Sequence, residues 1–166
     1  MTFALSLLLA LPLVAAGAQT VEFLCAVTSD EGTGEISEAL LSGCEDAFFD
    51  LGIIAVDSRP VVLDHDAWRE PSLGIASARA GLVEYLVSIY IEYASSQPGG
   101  RLLPVALQYR VIRVEDASVL GEGSIDIPLA SLDSPKKLVS YSRALGAELA
   151  NSCLPILMPS HMGERS

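Results

Sequence analysis

Tyr85-Leu86-Val87-Ser88-Ile89-Tyr90-Ile91-Glu92-Tyr93 is dense in β-branched and aromatic residues, the composition of a strand packed in a sheet. Ser95-Ser96-Gln97-Pro98-Gly99-Gly100 follows it as an explicit turn. The next strand spans about Leu103 to Val114, with Val105, Leu107, Tyr109 and Val111 on one face. Glu115-Asp116-Ala117-Ser118 then closes a tight hairpin, and Val119 to Ile127 returns beside it. These three segments predict an antiparallel meander.

Upstream, Val21, Phe23, Cys25 and Val27 alternate as one face of a first strand. From Glu35 the period changes. Ile36, Leu40, Cys44, Ala47, Phe48 and Leu51 fall at helical spacing, and Gly52 follows as a C-terminal cap. Ile53 to Leu63 reads as an edge or interrupted strand because Pro60 cannot donate to a ladder. Asp64 to Pro71 reads as a polar loop, and Ser72 to Leu82 as a weaker helix. Downstream, Ser134-Pro135 supplies an N-cap with proline at the first helical position. Leu138, Tyr141, Leu145 and Leu149 form that helix's apolar stripe, which is predicted to end near Cys153, with Leu154 to Ser166 as a tail. The order β-α-β-α-β-β-β-α predicts a two-layer α/β domain over residues 19–153. Its mixed sheet carries the helices on one main face, and the second crossover helix completes a parallel pair.

The first eighteen residues have the layout of a secretory signal peptide: an apolar run from Phe3 to Val14, no charged side chain, then Ala16-Gly17-Ala18 before Gln19. A membrane-spanning helix needs roughly twenty apolar residues, more than this run supplies. Cleavage near Ala18 is expected, with export to the periplasm or extracellular space. The whole formal charge of -11, from 10 Lys+Arg against 21 Asp+Glu, therefore belongs to the 19–166 part. That charge excludes a nucleic-acid surface and an anionic lipid surface, and leaves a basic partner possible.

The order and several motifs resemble the amino-terminal domain of TolB and the related CsgG-like and LpoB-like envelope proteins. Leu51-Gly52-Ile53-Ile54-Ala55-Val56-Asp57-Ser58-Arg59 matches the segment after that group's early helix. Val83-Glu84-Tyr85-Leu86-Val87-Ser88-Ile89 resembles its "A-D-Y-L-V" strand, and Leu107 to Leu120 its next strand and turn. Leu138 to Leu149 resembles the closing helix. The similarity covers about Val21 to Cys153. The first strand lacks the group's Phe-x-Asn, and neither propeller repeats nor pore-forming hairpins are visible, so no translocation or channel role is carried over. The resemblance implies a bacterial envelope domain that binds other proteins.

Candidate chemistry is sparse. Asp64-His65-Asp66, with Asp57 and Glu70 nearby, has the residue types of a divalent-metal site or of a general base. In extended chain Asp64 and Asp66 converge while His65 turns away, the arrangement of a solvated loop. No Gly-x-Ser-x-Gly elbow occurs, and Gly121-Glu122-Gly123 lies between strands instead of entering a helix, so it is not a dinucleotide motif. Three cysteines in an exported chain leave at least one unpaired. Cys25–Cys44 is the preferred disulfide, with three buried free thiols as the equal alternative. Tyr90 on a sheet face, and Lys136 with Lys137 at a helix start, are the partner-binding candidates; core packing for the tyrosine and solvation for the lysines are the simpler readings. The expectation is a non-catalytic, cofactor-free envelope domain that binds a protein partner in an assembly or regulatory role. The alternative is a small metal-dependent hydrolase or small-molecule binder centred on Asp57, Asp64, His65 and Asp66.

Overall fold

A computed structural model describes residues 19–158 apart from Gly32, Pro71, 96–99 and 128–133. The expected signal segment, most of the turn after Tyr93 and the stretch from 159, with His161, lie outside the described residues. The chain runs β1 (Thr20–Val27), α1 (Gly34–Phe49), β2 (Ile54–Asp57), β3 (Val61–Val62), α2 (His65–Trp68), α3 (Ile75–Ala80), β4 (Tyr85–Ala94), β5 (Leu103–Arg113), β6 (Ser118–Asp126) and α4 (Pro135–Leu157). One mixed sheet has the order β2-β1-β4-β5-β6, with β3 also on β1. β1 is parallel to β2, β3 and β4, whereas β4-β5-β6 is the antiparallel meander.

Register decides which side chains meet. Val21 aligns with Tyr85 and Val27 with Ile91, so Val21, Phe23, Cys25 and Val27 point to the same side as Val87, Ile89, Ile91 and Tyr93. α1 and α4 cover that side with Ile36, Leu40, Cys44, Phe48, Leu145, Leu149 and Cys153, forming the main core. Each such buried aliphatic or aromatic side chain contributes about 1.5–3 kcal/mol. The two helices cross at Gly43 and Gly146. A Cβ on Gly43 would fall well under 3.0 Å from the Arg143 carbonyl oxygen, and one on Gly146 equally close to that of Leu40.

The main-face expectation holds for the two long helices, and the short ones cover part of the other side. Ile75 and Ala78 of α3 pack on Leu86 and Ile112, and Trp68 of α2 packs on Ala26 and Tyr90. Crossover handedness accounts for this. The connection through α1 leads outward from β1 to β2, and the one through α3 leads back across β1 to β4. Two right-handed crossovers in opposite directions place their helices on opposite faces.

The caps follow the sequence. Gly52 adopts φ 74°, with its N–H donating to Phe49 O (2.9 Å) and that of Ile53 to Phe48 O (3.0 Å), the hydrogen-bond pair of a Schellman ending. At α4 the Ser134 hydroxyl accepts from the Lys137 N–H at 3.3 Å. Ser134→Ala should therefore lower stability by about 1 kcal/mol in urea denaturation, whereas Ser134→Asp should leave it nearly unchanged.

The predicted end of α4 is corrected. The helix continues past Cys153 through Pro155 to Leu157, so 154–157 is not tail. Proline in a helix interior costs about 3 kcal/mol. Leu157 is 1% exposed in the main core and Ile156 sits over Gly121, so burial of the last turn offsets that cost. Gln19 Nε2 donates to Leu157 O at 3.2 Å, tying the start of β1 to the end of α4. Among the described residues no helix is long and apolar enough to cross a membrane.

Candidate functional site

The acidic segment after β3 folds differently from a loop. Asp64 is the N-cap of α2, and its carboxylate accepts from the Ala67 N–H at 2.7 Å. A helical turn sends residues 64, 65 and 66 in different directions, so the convergence expected of extended chain is lost. His65 turns onto the sheet, where Nε2 lies 3.2 Å from Gln108 Oε1 and the ring meets Tyr90 edge-on at 5.2 Å. Asp66 stays exposed, as does Asp57 at the end of β2. Among the described residues no three His, Cys, Asp or Glu side chains are grouped to hold a metal ion.

Under α2 lies a cluster that sequence reading missed. Trp68, 2% exposed, is tilted against Tyr90 at 5.4 Å, and the Arg110 guanidinium sits 5.9 Å from the Trp68 ring. Arg110 donates from Nη1 to Arg69 O at 2.9 Å and approaches the Glu122 carboxylate at 3.8 Å. A shallow depression of about 270 Å³ beside them is lined by Trp68, Arg110, Gln108, Glu122 and Ser124. Among the described residues, neither Trp68 Nε1 nor Arg110 Nε has a hydrogen-bond acceptor. No single segment signals this cluster, since the cover over Arg110 comes from α2 in another part of the chain. Tyr90, a partner-binding candidate, lies beneath α2 and is 5% exposed. Lys136 and Lys137 are exposed in the first turn of α4.

In this structure the three cysteines are buried free thiols. Cys44 Sγ donates to Gly146 O at 3.2 Å, directly at the helix crossing. Burial pushes the Cys25 and Cys153 thiols up to about 12. That of Cys44 is raised by burial, then by the neighbouring Cys153, Cys25 and Glu45. A thiol whose pKa is higher folded than unfolded binds its proton longer in the folded state. Its stabilisation is complete below the unfolded value, about 8.5, and is lost as pH climbs from there toward 12. Folding stability should therefore fall through that window. A thiol reagent should find three reactive groups only after denaturation; groups reacting at the folded rate of a free thiol would contradict the burial.

Among the described residues, several exposed apolar side chains lie on the β2 side of the domain. Phe49 is 80% exposed, and Leu51, Ile54, Val56 and Val62 are each half exposed or more. A groove of about 670 Å³ runs between the end of α1 and β2, lined by Glu45, Asp46, Phe49, Ile54 and Ala55 among others. Glu45 has its carboxyl raised above the usual range by burial, then by the charges of Asp57 and Asp46. Arg143 of α4 pairs with Asp46, its Nε donating to Oδ2 at 3.1 Å. Among the described residues β2 pairs on one side only, with β1. Monomeric surfaces seldom carry an apolar patch on an open strand edge without a partner for it.

No family model matches the chain, and no curated protein matches it in sequence. Solved structures do. A PelC dodecamer from Paraburkholderia phytofirmans is similar over 84% of this chain and 89% of that one, with 14% identity and a TM-score of 0.50. TolB from Acinetobacter baumannii is similar over 86% of this chain and 29% of its own, at 11% identity and a TM-score of 0.46. The LpoB C-terminal domain from Salmonella enterica is 18% identical over 68% of this chain and 88% of that one, with a TM-score of 0.30. At these identities the likeness to PelC concerns the fold.

Proposed function

We propose that this chain is an exported, non-catalytic domain of the bacterial cell envelope that acts by binding a protein partner in an assembly or regulatory role. The observation that carries the reading is the apolar, half-open β2 side with Phe49, Leu51, Ile54 and Val56 in water. The PelC chains of similar fold assemble as a dodecamer, which supports a role built on protein–protein contact. Export rests on the apolar Phe3–Val14 run and the Ala16-Gly17-Ala18 pattern. The hydrolase alternative loses its support with the separation of Asp64, His65 and Asp66.

The test is site-specific crosslinking in the native envelope, since lysine occurs only at 136 and 137. A photo-crosslinking side chain at position 49 should give a covalent product with one identifiable protein, and one at Glu115 on the β5–β6 turn should not. Equal products from both positions, or none from 49, would sink the reading. Small-molecule binding is the second reading, favoured by two N–H groups beside the 270 Å³ depression that have no acceptor among the described residues. Trp68 is the sole tryptophan, so its emission reports on that site. An emission spectrum unmoved by a panel of small carboxylates and amides would remove it.

A further inference from the structure

The β2 edge also indicates what kind of partner it takes. We propose that it accepts an extended segment of the partner as an added strand, with lysine or arginine at alternate positions and aliphatic residues between them. The inference rests on the partner-binding reading and deepens it.

The backbone comes first. Ile54 N–H donates to Gln19 O of the neighbouring chain segment at 2.9 Å, so the peptide groups of Ile54 and Val56 turn inward to β1. By the alternation of a parallel ladder, those of Ala55 and Asp57 turn outward. An outward row of donors and acceptors is the template used in strand addition, where main-chain bonds supply affinity and alternate side chains supply specificity. Pro60 ends the template, and a segment of about five residues fills it.

Side chains then set the pattern. Ala55 packs with Ile53 toward the main core, on the same face as α1, and Glu45 and Asp57 are close enough to raise the Glu45 carboxyl. On this face a new strand would lie against two carboxylates, with the exposed Phe49 ring at the end of the groove. On the other face it would lie beside Ile54 and Val56, 54% and 50% exposed. Alternating basic and aliphatic residues satisfy both faces at once. The nearby Arg143 is already paired with Asp46, and Arg59 comes only after β2 has ended. A second copy of this chain is the poorer occupant. Its other edge among the described residues, β6, carries exposed Glu122 and Asp126, and two molecules of charge -11 would meet acid to acid.

The test uses residues 19–166 and a dye-labelled, end-capped peptide of alternating lysine and valine, read by fluorescence anisotropy at physiological salt. Glu45→Lys with Asp57→Lys should weaken binding about tenfold, and Glu122→Lys with Asp126→Lys, the same charge change at the far edge, by about twofold or less. N-methylating alternate amides of the peptide, which keeps its charge and removes strand donors, should also abolish binding. Ala55→Pro, which deletes an outward N–H, should act likewise. Equal weakening by both charge pairs would show bulk attraction and overturn the proposal. So would undiminished binding of the N-methylated peptide, or an oligomer of the unmodified chain that Val56→Lys dissociates. If position 49 crosslinks a partner but the peptide fails, only this inference falls; if nothing is crosslinked, the partner reading itself falls.

Discussion

Gly146→Ala should cost at least about 3 kcal/mol and leave much of the chain unfolded in mild urea, a large share of the 5–15 kcal/mol that holds an average domain together. In an isolated helix the same change stabilises by about 1 kcal/mol, because alanine has the higher helix propensity. The sign reverses because a methyl group on Gly146 would lie far inside van der Waals contact with the Leu40 carbonyl oxygen, and neither backbone can yield without moving a whole helix. Close packing allows no partial relief. Gly43→Ala meets the Arg143 carbonyl in the same way and should behave alike. Gly34, in the first turn of α1 with open space where a Cβ would stand, provides the control. Gly34→Ala should be neutral or slightly stabilising. A Gly146→Ala midpoint equal to that of the unmodified chain would show that α1 and α4 do not cross as described.

Trp68→Ala is the second large effect, expected at about 3–5 kcal/mol, the range for deleting a buried aromatic. The ring fills the space between α2 and the sheet, touching Ala26 and Tyr90 and covering the Arg110 guanidinium. Its removal exposes Tyr90 and takes the cation's ring neighbour away, so residues 64–70 should exchange their amide hydrogens at nearly the unprotected rate. Trp68→Phe separates packing from hydrogen bonding. The indole N–H has no acceptor among the described residues, so losing it forfeits no bond. The phenyl variant should cost about 1–2 kcal/mol, most of it the unfilled volume. A phenylalanine variant as unstable as the alanine one would mean that the indole N–H is bonded after all.

Strands and long helices were legible because their periods are long enough to average over exceptions. β4, β5 and α1 appear in the structure within a residue or two of where their spacing puts them. The shorter or capped features were not. α2 has only four residues, and its nucleus is the Asp64 carboxylate bonding Ala67, which reads equally well as a turn in a polar run. At α4, Pro155 is a valid stop signal locally, and only burial of Leu157 against the sheet overrides it. The position of α3 was legible in principle, since the right-handed crossover rule follows from strand order, but the order β2-β1-β4 is not written in any one segment. The same limit hid the candidate interface. Ile54 and Val56 look like ordinary strand residues, and their exposure goes with β2 having a neighbour on one side only among the described residues. Arg110 was hidden differently: an arginine in an alternating strand suggests a wet face, and α2 supplies the cover from another part of the chain.

The hydrogen bond from Gln19 to the Leu157 carbonyl has a consequence for engineering. Residues 19 and 157 of the described chain therefore lie side by side, so a short linker could join them into a ring without stretching either one. The chain could then be reopened at the exposed β5–β6 turn around Glu115 and Asp116, yielding a rearranged gene product with the same sheet. By the same geometry the domain could be spliced as a cassette into a surface loop of a host protein, both of its junctions lying at one pole.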